Sequence, residues 1–208
     1  MKLHELKKAG LIGALVLSVF ASKAMCLSLD EQTEVYASYA LEAKGDFAGA
    51  IQKMVKVQSA NADQYFLNYR LGYLMSMSKK YSNAVNHYEK AAKINPSSVE
   101  PWLAISLMSL YSGDDEKVMS ASKEVLNRDS KNYFGLARLA GAQIRKKDYA
   151  GALESASNGL KGYPSDALFL EQKGFALKSL GKLDEAKAVA KDLILLSPSN
   201  VFAKSILH

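Results

Sequence analysis

The feature that most constrains this chain is a five-residue segment that occurs twice, as DFAGA at residues 46–50 and as DYAGA at residues 148–152. The separation of the two copies is three times a period of about 34 residues, and a fixed period of this length is the signature of a repeat array. Steps of one period reach small or β-branched residues throughout the chain, at Ala50, Ala84, Val118, Ala152 and Ala186. The sequence therefore predicts five copies of one structural unit.

Other periodic positions indicate that each unit is a pair of helices. Proline stands twelve residues after three of the small positions, at Pro96, Pro164 and Pro198. Because proline cannot continue a helix interior, it separates one helix from the next. A further set contains only small residues, at Ser38, Gly72, Ser106, Ala140 and Gly174. Small residues there let two helix backbones approach closely, and no alternating β-branched run predicts a strand.

These residues resemble the tetratricopeptide repeat family, whose unit is a helix-turn-helix of about 34 residues. The segment 65–98 is the nearest to the family pattern, and Trp102 stands at the family's tryptophan position in the next segment. The first and third segments lack the terminal proline, and Val118 and Ser122 replace the usual alanine and aromatic residue. The family residues of segment 65–98 are Leu71, Gly72, Tyr81, Ala84, Tyr88, Ala91 and Pro96.

The resemblance covers residues 31–200 and implies an all-α, right-handed superhelical solenoid of about five repeats. One unit cannot bury its apolar face alone, so neighbouring units stack into a continuous core. The family implies that the first helices line a concave face and the second helices form the convex back. The expected units are 31–64, 65–98, 99–132, 133–166 and 167–200.

The N-terminal segment has a different composition. Lysines precede an apolar run at residues 9–22, and a small-x-small motif ends at Ala24. This pattern predicts a secretory signal peptide at residues 1–24, cleaved after Ala24 or after Cys26, with a short linker at 25–30. The run is shorter than the roughly 20 residues of a spanning helix, which favours a signal peptide over the alternative, a retained anchor. We therefore expect a periplasmic or secreted protein.

Cys26 is the single cysteine of the chain, so no internal disulfide can form. Bacterial lipidation signals resemble Leu-Ala-Gly-Cys, whereas a lysine, an alanine and a methionine precede Cys26. We therefore expect membrane association only if the leader is uncleaved or Cys26 is lipidated.

Composition argues against several classes of function. The formal net charge is +6, of which the leader contributes half, and no basic run interleaved with aromatic residues predicts nucleic-acid binding. The histidines are His4, His87 and His208, and none has a metal-ligand partner at a suitable spacing. No nucleophile elbow or phosphate-binding loop is present. We expect no metal, no cofactor and no catalytic activity.

The resemblance also implies where a partner binds, because ligand contacts in this family come chiefly from the inward positions of each first helix. These positions are rich in aromatic and aliphatic residues, and no unit has the lysine–asparagine pair with which some members hold an acidic C-terminus. We expect an apolar groove for a protein or peptide with apolar anchors. In the alternative, some of these residues, Leu103 and Leu110 in particular, pack against the neighbouring unit. The predicted groove residues are Tyr39, Phe66, Tyr69, Tyr73, Met77, Leu107, Tyr111, Phe134 and Phe175.

The C-terminal segment at residues 201–208 is a short and apolar cap. Phe202 and Leu207 either cover the fifth unit or stack on another copy of the chain. The second possibility makes the protein a self-associating structural scaffold, which is the alternative to an adaptor with a peptide groove.

The leader gives the first testable prediction. Signal peptidases cut after small residues, so the protein isolated from an exporting host should begin at Met25 or at Leu27. Intact mass spectrometry measures this directly. The mass of the uncut chain, or a mature chain carrying lipid on Cys26, would contradict the prediction.

Overall fold

The computed structural model describes residues 27–207, so the predicted leader, Cys26 and His208 lie outside the described residues. Within this range every regular element is an α-helix, in five pairs followed by one short helix. The prediction of an all-α solenoid of helix pairs is confirmed. The helices are α1 (Leu29–Ala43), α2 (Phe47–Ala60), α3 (Tyr65–Met77), α4 (Tyr81–Ile94), α5 (Glu100–Ser112), α6 (Asp115–Arg128), α7 (Tyr133–Arg145), α8 (Tyr149–Gly162), α9 (Ala167–Ser179), α10 (Leu183–Leu196) and α11 (Val201–Leu207).

The repeated pentad is the beginning of a second helix. In its first copy, the Asp46 carboxylate accepts a hydrogen bond of 2.8 Å from the backbone N–H of Gly49. In its second copy, Asp148 accepts in the same way from Gly151 at 3.0 Å. An aspartate at this position satisfies a backbone donor that the helix itself leaves free. Both copies of the pentad therefore act as the N-cap of a helix.

The turn inside each unit repeats with the same period. The residue at its centre has a positive φ in every unit, at Gly45, Lys79, Gly113, Lys147 and Gly181. A left-handed residue ends one helix and turns the chain back into the next. Glycine adopts this conformation without strain, whereas Lys79 and Lys147 adopt it at some energetic cost.

Helix α1 begins at Leu29, which lies inside the predicted linker 25–30 and before the expected start of the first unit at residue 31. The cause is a capping box. The Ser28 side chain accepts from the backbone of Glu31, and the Glu31 carboxylate accepts from the backbone of Ser28. This reciprocal pair fixes the first turn and extends the helix toward the N-terminus.

The periodic small residues lie where helices meet. All five positions of the first set, Ala50, Ala84, Val118, Ala152 and Ala186, are fully buried. In the second set, Tyr88 lies against Gly72, and Phe202 lies against Gly174. Successive helices pack in chain order, and the first helix α7 also touches the first helices on either side of it, α5 and α9. Elements on the inside of a curved stack come closest together, so we call the surface of the first helices the inner face.

Helix α11 covers the end of the array. Ala203 and Ile206 are buried, and Phe202 and Leu207 are half-buried against the fifth unit. The two residues considered for self-association therefore face their own chain. No helix of residues 27–207 combines the length and the apolar composition that crossing a bilayer requires.

The contact between Gly72 and Tyr88 predicts the effect of a substitution. A Cβ atom at Gly72 would lie 2.8 Å from Cε1 of the Tyr88 ring, so Gly72→Ala forces two helices apart. We expect the free energy of unfolding to fall by about 1–3 kcal/mol. Urea denaturation followed by circular dichroism measures it.

Gly162→Ala is the matched control, because a Cβ atom there meets no other atom of residues 27–207 within 4 Å. It should leave the stability unchanged or slightly raised, since alanine favours a helix. Equal losses in the two variants would contradict the close approach at Gly72.

Candidate functional site

The predicted groove residues lie on or beside the inner face, but the structure separates eight of them into three places and packs Tyr69 apart from these. Five of the nine have more than a third of their surface exposed. The others, Phe66, Tyr69, Tyr73 and Leu107, are half-buried. The exposed members are Tyr39, Met77, Tyr111, Phe134 and Phe175.

The first place lies between α1 and α3 and consists of two pockets of about 420 Å³ and 510 Å³ that share Tyr39. Leu27, Tyr36 and Phe66 line the first pocket with Val35 and Gln32. The second pocket lies toward the turn between α1 and α2. Its other lining residues are Glu42, Ala43, Phe47, Arg70, Tyr73 and Met77. We call the two pockets together the tyrosine groove.

Tyr36 is a residue of this groove that the sequence analysis missed. It is 68% exposed, more than any of the predicted aromatic residues. The inward positions that the resemblance implies are the second, fifth, ninth, twelfth and thirteenth of each unit, whereas Tyr36 is the sixth residue of its unit. The sequence signalled it only as an aromatic residue on the first helix.

A buried charge pair lies beneath the groove. Arg70 of α3 is 7% exposed, and its guanidinium carbon lies 3.7 Å from the centre of the Tyr39 ring. Its Nη2 atom lies 2.5 Å from Oε2 of Glu42, in a close charge contact rather than an aligned hydrogen bond. The guanidinium thus supports Tyr39 from below through a cation–π contact. The same Glu42 carboxylate, together with burial, raises the pKa of Tyr73.

Tyr69 lies outside the tyrosine groove. Its ring stacks on Tyr65 at 5.8 Å and meets the edge of Tyr88 at 5.2 Å. Burial, and then the neighbouring Tyr65, raise the pKa of its hydroxyl. The prediction placed Tyr69 in the groove, but the ring packs between α3 and α4 because Tyr88 offers it an apolar surface over Gly72.

The second place lies between α5 and α7. Leu107 packs against the core, while Tyr111 is 59% exposed and Phe134 is 53% exposed. Beside them, Nη1 of Arg138 donates hydrogen bonds of 2.7 Å to the Leu103 carbonyl and the Ser106 hydroxyl. Burial lowers the pKa of the Arg138 guanidinium, which nevertheless stays charged at neutral pH.

The third place is the C-terminal end. The ring of Phe175 lies 6.3 Å from Tyr149 and 6.1 Å from Phe202. Phe175 therefore joins α9 to the covering helix α11, and its 38% exposure is the smallest among the five exposed members.

Metal-ligating side chains are dispersed in the part of the chain that the structure describes. No group of three histidine, cysteine, aspartate or glutamate side chains in residues 27–207 is placed to hold a metal ion. His87 is half-buried on α4, and burial lowers the pKa of its imidazole. Its Nδ1 atom is buried and has no hydrogen-bond partner among residues 27–207.

The family comparison agrees with the geometry. The tetratricopeptide repeat family profile matches residues 67–98 and 168–200, which cover nearly all of the α3–α4 and α9–α10 pairs. These two helix pairs are tetratricopeptide repeats. The matched segments are two of the three that carry the terminal proline. No curated protein sequence matches the chain.

Several solved structures share the fold of this chain at low sequence identity. MamA is 17% identical with a TM-score of 0.73, over 81% of this chain and 92% of MamA. A tetratricopeptide repeat protein of Parabacteroides merdae is 18% identical with a TM-score of 0.73, over 86% of this chain and 71% of that chain. YrrB, described as having an unusual peptide-binding site, is 11% identical with a TM-score of 0.73, over 92% of this chain and 96% of YrrB.

The charge pair beneath the tyrosine groove gives a prediction. Glu42→Gln keeps the shape of the side chain but leaves the Arg70 charge buried without a counter-charge. We expect the free energy of unfolding to fall by about 1–3 kcal/mol in urea denaturation. Glu185→Gln removes an exposed carboxylate 3.5 Å from Lys182 and is the matched control, with an expected change below about 0.5 kcal/mol. Similar small changes in both variants would show that Arg70 does not need Glu42.

Proposed function

We propose that this protein is a non-catalytic adaptor that binds a segment of another protein on the inner face of its first helices. The observation that carries the proposal is the tyrosine groove, where exposed aromatic rings surround two adjoining pockets. Tyrosine and phenylalanine bury a large rigid surface at small entropic cost when a partner binds. The partner that suits this surface is a protein or peptide with apolar anchors, held reversibly with an affinity of about micromolar.

The shape of the groove supports a segment with spaced anchors. The two pockets share Tyr39, so a bound chain can place one side chain beside Tyr36 and Phe66 and another beside Tyr73 and Met77. Arg70, which is paired with Glu42, holds the Tyr39 ring in place between the two pockets. With the rigid Tyr39 ring between them, the two pockets can each accept one of two alternate side chains of a bound segment. The peptide-binding site of YrrB, a protein of the same fold, makes this kind of ligand a reasonable one for the present chain.

The alternative is a self-associating scaffold that stacks through the ends of the array. Phe202 and Leu207 pack on their own fifth unit, which weakens this alternative. Val201 and Leu195 are each about four-fifths exposed at the same end and keep the alternative open. Sedimentation at several concentrations separates the two functions, since an adaptor remains a monomer without its partner.

The compartment of the adaptor is part of the proposal. The leader at residues 1–24 has the composition of a signal peptide, so we infer that the adaptor works in the periplasm or is secreted. The partner is then another exported protein or the exposed part of an envelope protein.

Removing rings from the tyrosine groove tests the proposed function. Affinity capture with the wild-type protein, followed by mass spectrometry, identifies retained partners. We expect the double variant Tyr36→Ala and Tyr39→Ala to lose at least about tenfold in affinity for them, because aromatic anchors carry most of the binding energy of an interface.

Leu195→Ala is the matched control, because Leu195 is 81% exposed on α10, away from the groove. Circular dichroism confirms that each variant is folded. Equal retention by the double variant and the control would remove the tyrosine groove from the binding site.

A further inference from the structure

Two arginines occupy the same position in alternate units of the array. Arg70 and Arg138 are two repeat lengths apart, and each is the sixth residue of its unit. Both lie on the inner face beside an aromatic ring. The guanidinium carbon of Arg70 is 3.7 Å from the centre of the Tyr39 ring, and that of Arg138 is 5.1 Å from the centre of the Phe134 ring.

The two arginines differ in their counter-charge. Glu42 balances Arg70, but the residue two repeats after Glu42 is Leu110. In residues 27–207, no carboxylate forms an ion pair with Arg138, and its Nη1 atom bonds only a backbone carbonyl and a hydroxyl. The repeat thus places the cation Arg138 on the inner face, with the apolar Leu110 at the position that corresponds to Glu42.

The remaining nitrogens of Arg138 are available to a ligand. Its Nε and Nη2 atoms donate to no acceptor among the described residues, and neither is among the buried polar atoms that lack a partner. They therefore keep their contact with solvent. The exposed Phe134 ring of α7 lies 5.1 Å from the guanidinium carbon, and the exposed Tyr111 of α5 is near enough to act electrostatically on Arg138. A guanidinium edge of two donors matches the geometry of a carboxylate.

We propose that Arg138 binds a side-chain carboxylate of the partner, from an aspartate or a glutamate whose apolar neighbours contact Tyr111 and Phe134. This inference rests on the proposed function and names the chemistry of the segment that the inner face holds. The partner's carboxylate then balances the charge of Arg138, as Glu42 balances the charge of Arg70. The acid is an internal side chain rather than a chain end, because no unit carries the lysine–asparagine pair that holds a C-terminus.

Selection from random peptides tests the inference even while the partner is unidentified. The probe is a library displayed on phage with every peptide joined to the coat protein through its carboxyl end, so that only side chains supply carboxylates. The wild-type protein should enrich apolar peptides with an aspartate or a glutamate at one fixed place. A selected peptide, synthesised with both ends blocked, should bind at least about tenfold more weakly when that acid becomes its amide.

Variants of the protein then locate the carboxylate. Arg138→Gln should enrich apolar peptides without the acid. Leu110→Glu places a carboxylate where Glu42 stands beside Arg70, so it should compete for Arg138 and weaken the selected acidic peptide by a similar factor. Leu110→Gln separates the charge from the change of size and should retain the binding. Arg145→Gln removes an exposed arginine of the same helix, paired with Asp115, and should also retain the binding.

The outcomes separate this inference from the proposed function. Enrichment of apolar peptides with no fixed acid would overturn the Arg138 site and leave the adaptor function standing. An acid preference that survives Arg138→Gln would also overturn it. A free-ended peptide that binds through its terminal carboxylate, when its blocked form does not, would assign Arg138 to a chain end and contradict the proposal. No enrichment of any peptide would count against both the site and the adaptor.

Discussion

Close approach of helix backbones at small residues is the constraint on which the rest of this structure depends. Ala50 and its four equivalents are fully buried at the contacts within each unit, and Gly72 and Gly174 accept an aromatic ring directly against their backbone. Because the small residues at these contacts recur with the repeat period, they set the spacing of the first helices. That spacing determines which side chains of adjacent units meet on the inner face. A small change at one contact therefore moves a binding surface as well as a core.

Equivalent backbone positions on the inner face have different chemistry in different units. Arg70 is buried under Tyr39 and balanced by Glu42, so it serves the internal structure of the tyrosine groove. Arg138 has an equivalent position, keeps part of its surface in water and has no acid beside it among the described residues. An array of this kind can give each pair of units a separate subsite while one packing rule holds the backbone. Specificity for a long partner then comes from the order of the subsites.

The repeat period predicted the helix pairs well, because it records backbone contacts that allow only small residues. The side chains of the inner face were predicted less well. Tyr69 stands at an inward position, but its long side chain leans onto Tyr88 instead. Tyr36 and Arg70 stand at the sixth position, which the family resemblance did not mark, and they reach the groove because their side chains are long. The direction of such side chains depends on neighbours from another unit, which the spacing of one chain segment does not encode.

Photo-cross-linking in cells tests most directly whether the first helices hold the partner. A photoreactive phenylalanine analogue replaces Tyr36 on the inner face or Leu195 on α10, both of which are largely exposed. We predict a covalent adduct with one protein from position 36 and none from position 195, because only the inner face contacts the bound segment. Adducts from position 195 alone, or equal adducts from both positions, would contradict binding on the inner face.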